Sequence, residues 1–461
     1  MLCDDGQPSV LSLSTEIGRS SRPSFASTGS VEEGEPLLRA RGGQSDAVKT
    51  AFGVITDHGY AQDPNVATAT PTQLMVNLIT CGLGTGIFTL PWSIAGASVI
   101  PGVLIIAFVL GLNAWTMSII VAAGERHQVF DLGGLLGKIS GATGRCAQWC
   151  VNGFIWVSTY LCLVGYITMI ADCLASSGYV TFIQSRASLV VLGATGVLPL
   201  CFLDQRRLAA SSMLTVLTTL NIFLLIAMQS SEKRADTTQP PMCLFGLSGG
   251  SVAMCSAMMQ TVVIQGCVLP MYAELRDRSP AKFNHVMKIS FSALFLFFTA
   301  FSVGGYKAYG QAVHSNVILS LPSSHWGHAC RLGAVFAVAG VFPIMVKPMI
   351  APLYGLDSRS EFVPNAMILF IVFASLVGAL NLDDLGYINV VNGALSCSAF
   401  VGLAPSLVGL YLSGSRSENP QWRATMYALA IIGISFSLVG MVMTDNYAGA
   451  LRRKCAWPQA F

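Results

Sequence analysis

Three alternating glycines and a proline sit in the middle of an apolar segment long enough to cross a membrane: Thr80-Cys81-Gly82-Leu83-Gly84-Thr85-Gly86-Ile87-Phe88-Thr89-Leu90-Pro91. Hydrocarbon holds no water to satisfy free backbone amides, so a lipid-exposed break in a spanning helix costs several kcal/mol per unpaired group. Non-helical backbone at that depth persists only where protein buries it or where it lines a solvated space. The segment therefore predicts a site near the bilayer midplane whose walls are unwound peptide groups.

The rest of the chain reads as the membrane protein around that break. Of 461 residues, 53% are hydrophobic and 11% charged, and the mean hydropathy is +0.61. Soluble domains carry about 25% charged residues, so an ordinary soluble protein is excluded and the lipid bilayer is the expected surrounding. Apolar windows predict an all-α polytopic membrane protein with about 11 transmembrane helices between residues 72 and 443. The first span is 72–96, the short fourth 187–203, the sixth 249–272 and the ninth 363–381. Alternate short loops are richer in Lys and Arg, which places the N-terminus in the cytosol, although Arg452, Arg453 and Lys454 fall on the opposite side. Residues 1–71 are polar and without helical period, predicting a disordered cytosolic tail and no signal peptide. Residues 444–461 are then a short non-cytosolic tail. A net charge of +3 from scattered basic residues leaves no footprint for nucleic acid.

A second interruption, Gln265-Gly266-Cys267-Val268-Leu269-Pro270, lies in the sixth span. Two broken segments five helices apart predict a five-plus-five inverted repeat with broken helices 1 and 6 and a site at the repeat interface. Spacing and the breaks alone carry that layout. In such a site the backbone of Thr80, Gly82, Leu83, Gly84, Thr85 and Gly86 offers N–H groups to a carboxylate, helped by the positive N-terminal end of the following half-helix. Carbonyls freed near Gln265, Gly266 and Cys267 accept from an α-ammonium. Opposite partners of this kind fit the zwitterion of a small-molecule amino acid substrate. Small-residue helix packing is the competing reading of the glycines; the neighbouring Pro91 and the second break favour the site.

These residues carry a family resemblance. Gly84-Thr85-Gly86-Ile87 with Leu90-Pro91 resembles the first-helix motif of the amino acid/auxin permease superfamily. Val268-Leu269-Pro270-Met271-Tyr272-Ala273-Glu274-Leu275-Arg276-Asp277-Arg278-Ser279, continuing to Lys288-Ile289-Ser290-Phe291, resembles its sodium-coupled neutral amino acid transporter branch. Gly305-Tyr306, Tyr309-Gly310, Pro343 and Pro348 also fit. The resemblance implies a broken-helix, inverted-repeat fold and amino acid transport driven by a coupling cation, proton or sodium. Two features depart from it. The family usually has Asn where this chain has Thr80, and the sodium-coupled branch has threonines that help hold sodium where this chain has Ala339 and Val341. Losing hard oxygen ligands weighs against sodium and toward the proton.

Lys347 stands inside the apolar stretch Phe342–Pro348 and joins Thr80, Ala339 and Val341 as a coupling-ion candidate. Snorkelling of its stem to the headgroups is an equal alternative. Asp172 reads as an interfacial carboxylate, with a proton carrier as its alternative, and Glu274 as a loop charge, with a gate as its alternative. Cys173, Cys243 and Cys330 lie toward the non-cytosolic side; one pair of them is a candidate disulfide that spacing does not choose. His314, His325, His328 and Cys330 share an outer loop, but polar loop composition explains them and no metal is expected. Gly82-x-Gly84-x-Gly86 lacks the strand–helix setting of a dinucleotide site. With no catalytic constellation either, neither a cofactor nor an enzyme is expected. Glu33-Gly34-Glu35-Pro36-Leu37-Leu38 resembles an acidic dileucine signal, so Glu33, Leu37 and Leu38 are candidates for a sorting adaptor and a lysosomal or vacuolar address, with the plasma membrane as alternative. The sequence thus predicts a secondary active transporter of amino acids, neutral ones, working by alternating access with proton coupling favoured over sodium. The alternative is a transporter-like amino acid sensor signalling from an endolysosomal membrane.

Overall fold

The computed structural model describes residues 69–178, 183, 185–202, 205–232, 242–246, 248–350, 362–445, 455 and 457–459. The sorting-signal residues Glu33, Leu37 and Leu38 lie outside them, as does most of the predicted tail. The chain enters its first helix through a capping box. Gln73 N–H donates to the Thr70 hydroxyl, Thr70 N–H donates to the Gln73 side chain at 2.7 Å, and Pro71 takes the first helical position, where a missing N–H is harmless. Helix α1 runs Pro71–Gly82; Leu83 and Gly84 are not helical; a 3-10 turn, Thr85–Thr89, leads into α2, Leu90–Ala97. The two halves bend by 45°. The predicted first break is therefore present, within the glycine run.

Helix α3 (Val99–His127) and the short α4 (Leu132–Gly137) follow, then α5 (Ala142–Ser176), α6 (Arg186–Val197) and α7 (Gln205–Glu232). A strand β1 (Met242–Phe245) precedes α8 (Gly250–Thr261) and α9 (Gln265–Ala273). After them come α10 (Pro280–Tyr309), a 3-10 turn at Val317–Ser320, α11 (His325–Ile350) and α12 (Phe362–Asn381). Helix α13 (Leu385–Ser396) passes through a π-helical stretch, Cys397–Leu403, into α14 (Ala404–Tyr411), and α15 (Pro420–Asp445) precedes strand β2 (Trp457–Gln459). Among the described residues, eight helices are long and apolar enough to cross a membrane, nine if the bent first pair is one span. The predicted fourth and ninth spans are shorter apolar helices, Arg186–Phe202 and Asn365–Asn381.

The sixth span departs from its predicted form. Gln265–Pro270 is helical, with Pro270 inside α9, and the interruption falls one turn earlier, at Val262–Ile264. The β-branched run Val262-Val263-Ile264 resists helix at χ1, whereas Pro270 removes only one ladder bond. Here Gly250–Ala273 remains a single span.

Between membrane helices packing rests on small residues that let backbones approach. Helix α8 packs on α2 and α13, α10 on α1, α2, α3 and α7, and α11 on α5 and α7. A Cβ on Gly393 of α13 would strike the Ser256 carbonyl of α8, so only glycine permits that contact. The same holds for Gly433 of α15, whose Cβ would lie 2.6 Å from the Gly402 Cα in the π stretch.

The disulfide joins Cys243 to Cys455, not any pair among Cys173, Cys243 and Cys330; Cys173 and Cys330 are free and buried. Strands β1 and β2 pair antiparallel with Met242 opposite Gln459, which brings the two Cα atoms to 5.7 Å across 212 residues of sequence. No local spacing signals a ladder between segments so distant. Cys455→Ser is expected to destabilise the protein by about 2–4 kcal/mol, the usual loss for a native bridge, read as a lower thermal midpoint in detergent. Equal midpoints before and after reduction would refute this.

Candidate functional site

The first break backs directly onto the sixth span. A Cβ on Gly86 would stand 2.8 Å from Thr261 Oγ1 and 3.1 Å from Thr261 Cα, so the 3-10 turn touches the last turn of α8. Both hydroxyls beside that contact bond to helix-end carbonyls: Thr89 donates to Gly86 O and Thr261 to Ala257 O, each at 2.8 Å. Gly84 and Gly266 behave differently. A Cβ on Gly84 would meet only Cys81 O, at 3.8 Å, and one on Gly266 would meet nothing within 4 Å. Both are half-buried, so their backbones border open space. Cys267 is half-buried too, as is Cys81, its neighbour across the break.

Helix ends leave N–H groups free at the start and carbonyls free at the finish. Leu83 N–H still bonds to the Ile79 and Thr80 carbonyls at 3.1 Å and Gly84 O accepts from Ile87 N–H at 3.3 Å, which leaves the Gly84 and Thr85 N–H groups as the free ones among the described residues. At the second break Gln265-Gly266-Cys267 is the first turn of α9; Cys267 N–H donates to Ile264 O at 2.9 Å, and Gln265 and Gly266 present the N–H groups. The carbonyls expected there belong instead to the last turn of α8, because the interruption precedes Gln265.

Polar side chains ring the junction. The Tyr166 hydroxyl of α5 faces Thr85 and Cys162, and Gln260 donates from Nε2 to Cys162 Sγ at 3.2 Å. Gln265 is fully buried, and its Nε2 donates to Asn113 Oδ1 of α3. Asn113 Nδ2 in turn donates to Val109 O at 2.8 Å. The Gln260 and Gln265 Oε1 atoms are buried without a hydrogen-bond partner among the described residues. Segments 71–97, 250–273 and 385–411 hold no Asp, Glu, Lys, Arg or His. Those three segments offer backbone dipoles and neutral polar groups alone.

The structure thus gathers Gly84, Thr85, Gly86, Gln265, Gly266 and Cys267 about one junction, with Gly82 and Leu83 buried beside it. The coupling-ion candidates lie on two helices. Thr80 sits half-buried near the end of α1, and Ala339 and Val341 are half-buried on α11. The Lys347 side chain lies outside the described residues. Sequence reading missed Thr261, Gln260, Asn113 and Tyr166 as site residues. A signal was available for Gln260-Thr261, polar residues in an apolar span just before a β-branched run.

Toward the end of α9 away from the disulfide, Arg278 Nε lies 3.2 Å from Glu125 Oε2, its Nη2 donates to Gln128 Oε1 at 3.0 Å, and its Cζ stands 4.3 Å above the Phe130 ring. Glu274 takes part through its backbone: Ala69 N–H donates to Glu274 O and Arg276 N–H to Ala69 O, both at 2.9 Å.

The fold has known counterparts. MhsT, crystallised in complex with L-phenylalanine, aligns with a TM-score of 0.51 at 11% identity over 80% of this chain and 98% of its own. The nucleobase-cation-symport-1 family transporter Mhp1 aligns with a TM-score of 0.51 at 12% identity over 86% of this chain and 96% of its own. In sequence, amino acid transporter AVT3B of Arabidopsis thaliana is 23% identical, covering 80% of this chain and 91% of the relative. Human solute carrier family 38 member 10 is 25% identical over 158 residues, 31% of this chain and 14% of the relative. The two sequence relatives bear out the resemblance to the amino acid/auxin permease superfamily. The sequence profile described as transmembrane amino acid transporter protein matches residues 67–445. The chain belongs to that family of membrane amino acid transporters.

Proposed function

We propose that the protein carries neutral amino acids across its membrane by alternating access, coupled to protons, with the substrate held where the first break meets the sixth span. The carrying observation is that junction: interrupted backbone from both spans, glycines bordering open space, and no charged side chain on the three segments around it. A zwitterion needs one donor set and one acceptor set and no net counter-charge, which matches helix-end N–H and carbonyl groups. The carboxylate meets N–H groups at Gly84–Gly86, and the ammonium meets carbonyls at the end of α8 and the orphaned Gln265 oxygen. Ala339 and Val341 supply no side-chain oxygen, which supports the proton over sodium. Disulfides persist in oxidising compartments, so the Cys243–Cys455 bridge supports a non-cytosolic C-terminal tail and hence a cytosolic N-terminus. The eleven-span, five-plus-five layout follows if Arg186–Phe202 and Asn365–Asn381 also cross.

Reconstituted into proteoliposomes, the protein is expected to accumulate radiolabelled neutral amino acids when an inward proton gradient is imposed, and not when a sodium gradient replaces it. Saturable binding with no flux under either gradient would overturn the transport reading in favour of a sensor.

A further inference from the structure

We propose that Asp172 is the proton-carrying group of this transporter and that its link to Asn316 transmits the proton's arrival to the first break. The inference rests on the proton-coupled reading above and names the group that serves it. Asp172 lies one turn before the end of α5, half-buried, between fully packed Ala171 and Cys173. Its Oδ2 accepts from Asn316 Nδ2 at 3.3 Å. Asn316 is 1% exposed, and its Oδ1 accepts from Ile318 N–H at 3.2 Å, capping the turn Val317–Ser320. That turn packs both on α5 and on Thr85–Thr89. Three contacts therefore connect one carboxyl group to the unwound segment.

The charges around Asp172 make a proton the mobile partner. Arg186 of α6 acts on it from a distance, its guanidinium held by the Ala379 and Asp383 carbonyls at 3.2 and 3.3 Å. Asp383 and Asp384 act from the link before α13, where the Asp384 carboxylate accepts the Gly386 and Tyr387 N–H groups. Arg331 of α11 is held by the Leu321 and Pro322 carbonyls, and His328 of α11 lies against Gly178 further along. Among the described residues Asp172 has no ion-pair partner. An ionised carboxylate accepts a charge-assisted bond from the amide, and a protonated one forfeits that assistance. Proton arrival from the non-cytosolic side weakens the Asn316 bond and frees the turn that rests on the first break.

The test uses the full chain in proteoliposomes with a radiolabelled neutral amino acid mixture. Wild type is expected to show uptake stimulated by a proton gradient and also gradient-free exchange. Asp172→Asn is expected to lose the stimulation and keep the exchange. Asn316→Leu is expected to let protons enter without amino acid, read with an entrapped pH dye, because the proton site remains while its link is cut. Stimulated uptake by Asp172→Asn would overturn the proposal and leave proton coupling standing. No stimulation in wild type would overturn the proton-coupled reading itself, and this inference with it. If Asp172→Asn loses exchange as well, Asn316→Leu decides: uncoupled proton entry supports the proposal and tight coupling overturns it.

Discussion

Gly266→Val leaves the protein folded and stops amino acid uptake. Overpacking a tight site costs about 1–3 kcal/mol, but a Cβ here meets no atom within 4 Å, so that penalty does not arise. Valine is also a slightly better helix residue than glycine, by a few tenths of a kcal/mol. The thermal midpoint should therefore hold or rise. The added branch fills the open space beside the α9 N–H groups, where the proposed substrate lies. Displacing a bound solute by even ~1.4 kcal/mol is a tenfold loss of affinity, so uptake should fall at least tenfold. Gly86→Val is the contrasting case, since its side chain strikes Thr261 directly and should lower the midpoint as well as the uptake. Normal uptake by a folded Gly266→Val protein would remove the substrate from this junction.

The contrast between those glycines also marks what the sequence made legible. The first break announces itself because three glycines and a proline leave no doubt that helix is being interrupted. The second break was displaced by a turn. Pro270 is conspicuous, yet a single proline withdraws one bond while three consecutive β-branched residues oppose the helix together. From that shift follows the exchange of roles at Gln265–Gly266, from carbonyl acceptors to N–H donors. The contact of Gly86 with Thr261, the Asn113–Gln265 pair and the Cys243–Cys455 bridge are properties of three-dimensional neighbours 152 or more residues apart in the sequence. One sequence carries no record of such pairings, because helix rotation sets them and apolar spans without strong amphipathicity do not declare their rotation.

Reversing Arg278 to glutamate should open the site to the face on which Arg278 lies. The inner ends of the broken segments act as one body there, since the Ala69 bridge ties the start of α1 to the chain after α9. Arg278 then fastens that body to α3 through Glu125 and to the chain just after it through Gln128 and the Phe130 ring, which meets Tyr272 at a tilt at 6.3 Å, Tyr272 in turn meeting Phe283 edge-on at 5.6 Å. A partly exposed ion pair contributes about 0.2–1 kcal/mol and a cation–π contact about 0.5–1. With the Gln128 hydrogen bond at ~1, the latch is worth ~2 kcal/mol. Removing it shifts the closed-to-open ratio roughly thirtyfold, and the glutamate adds repulsion from Glu125. Half-buried Cys81 and Cys267 report the change, because they line the junction behind the latch. A membrane-impermeant thiol reagent applied from that face should modify them tens of times faster in Arg278→Glu than in wild type. Pairing it with Glu125→Arg restores the ion pair but not the stacking on Phe130, so labelling should fall only partway back. Equal labelling rates in wild type and both variants would mean that the closure lies elsewhere and the Arg278 contacts merely decorate a helix end.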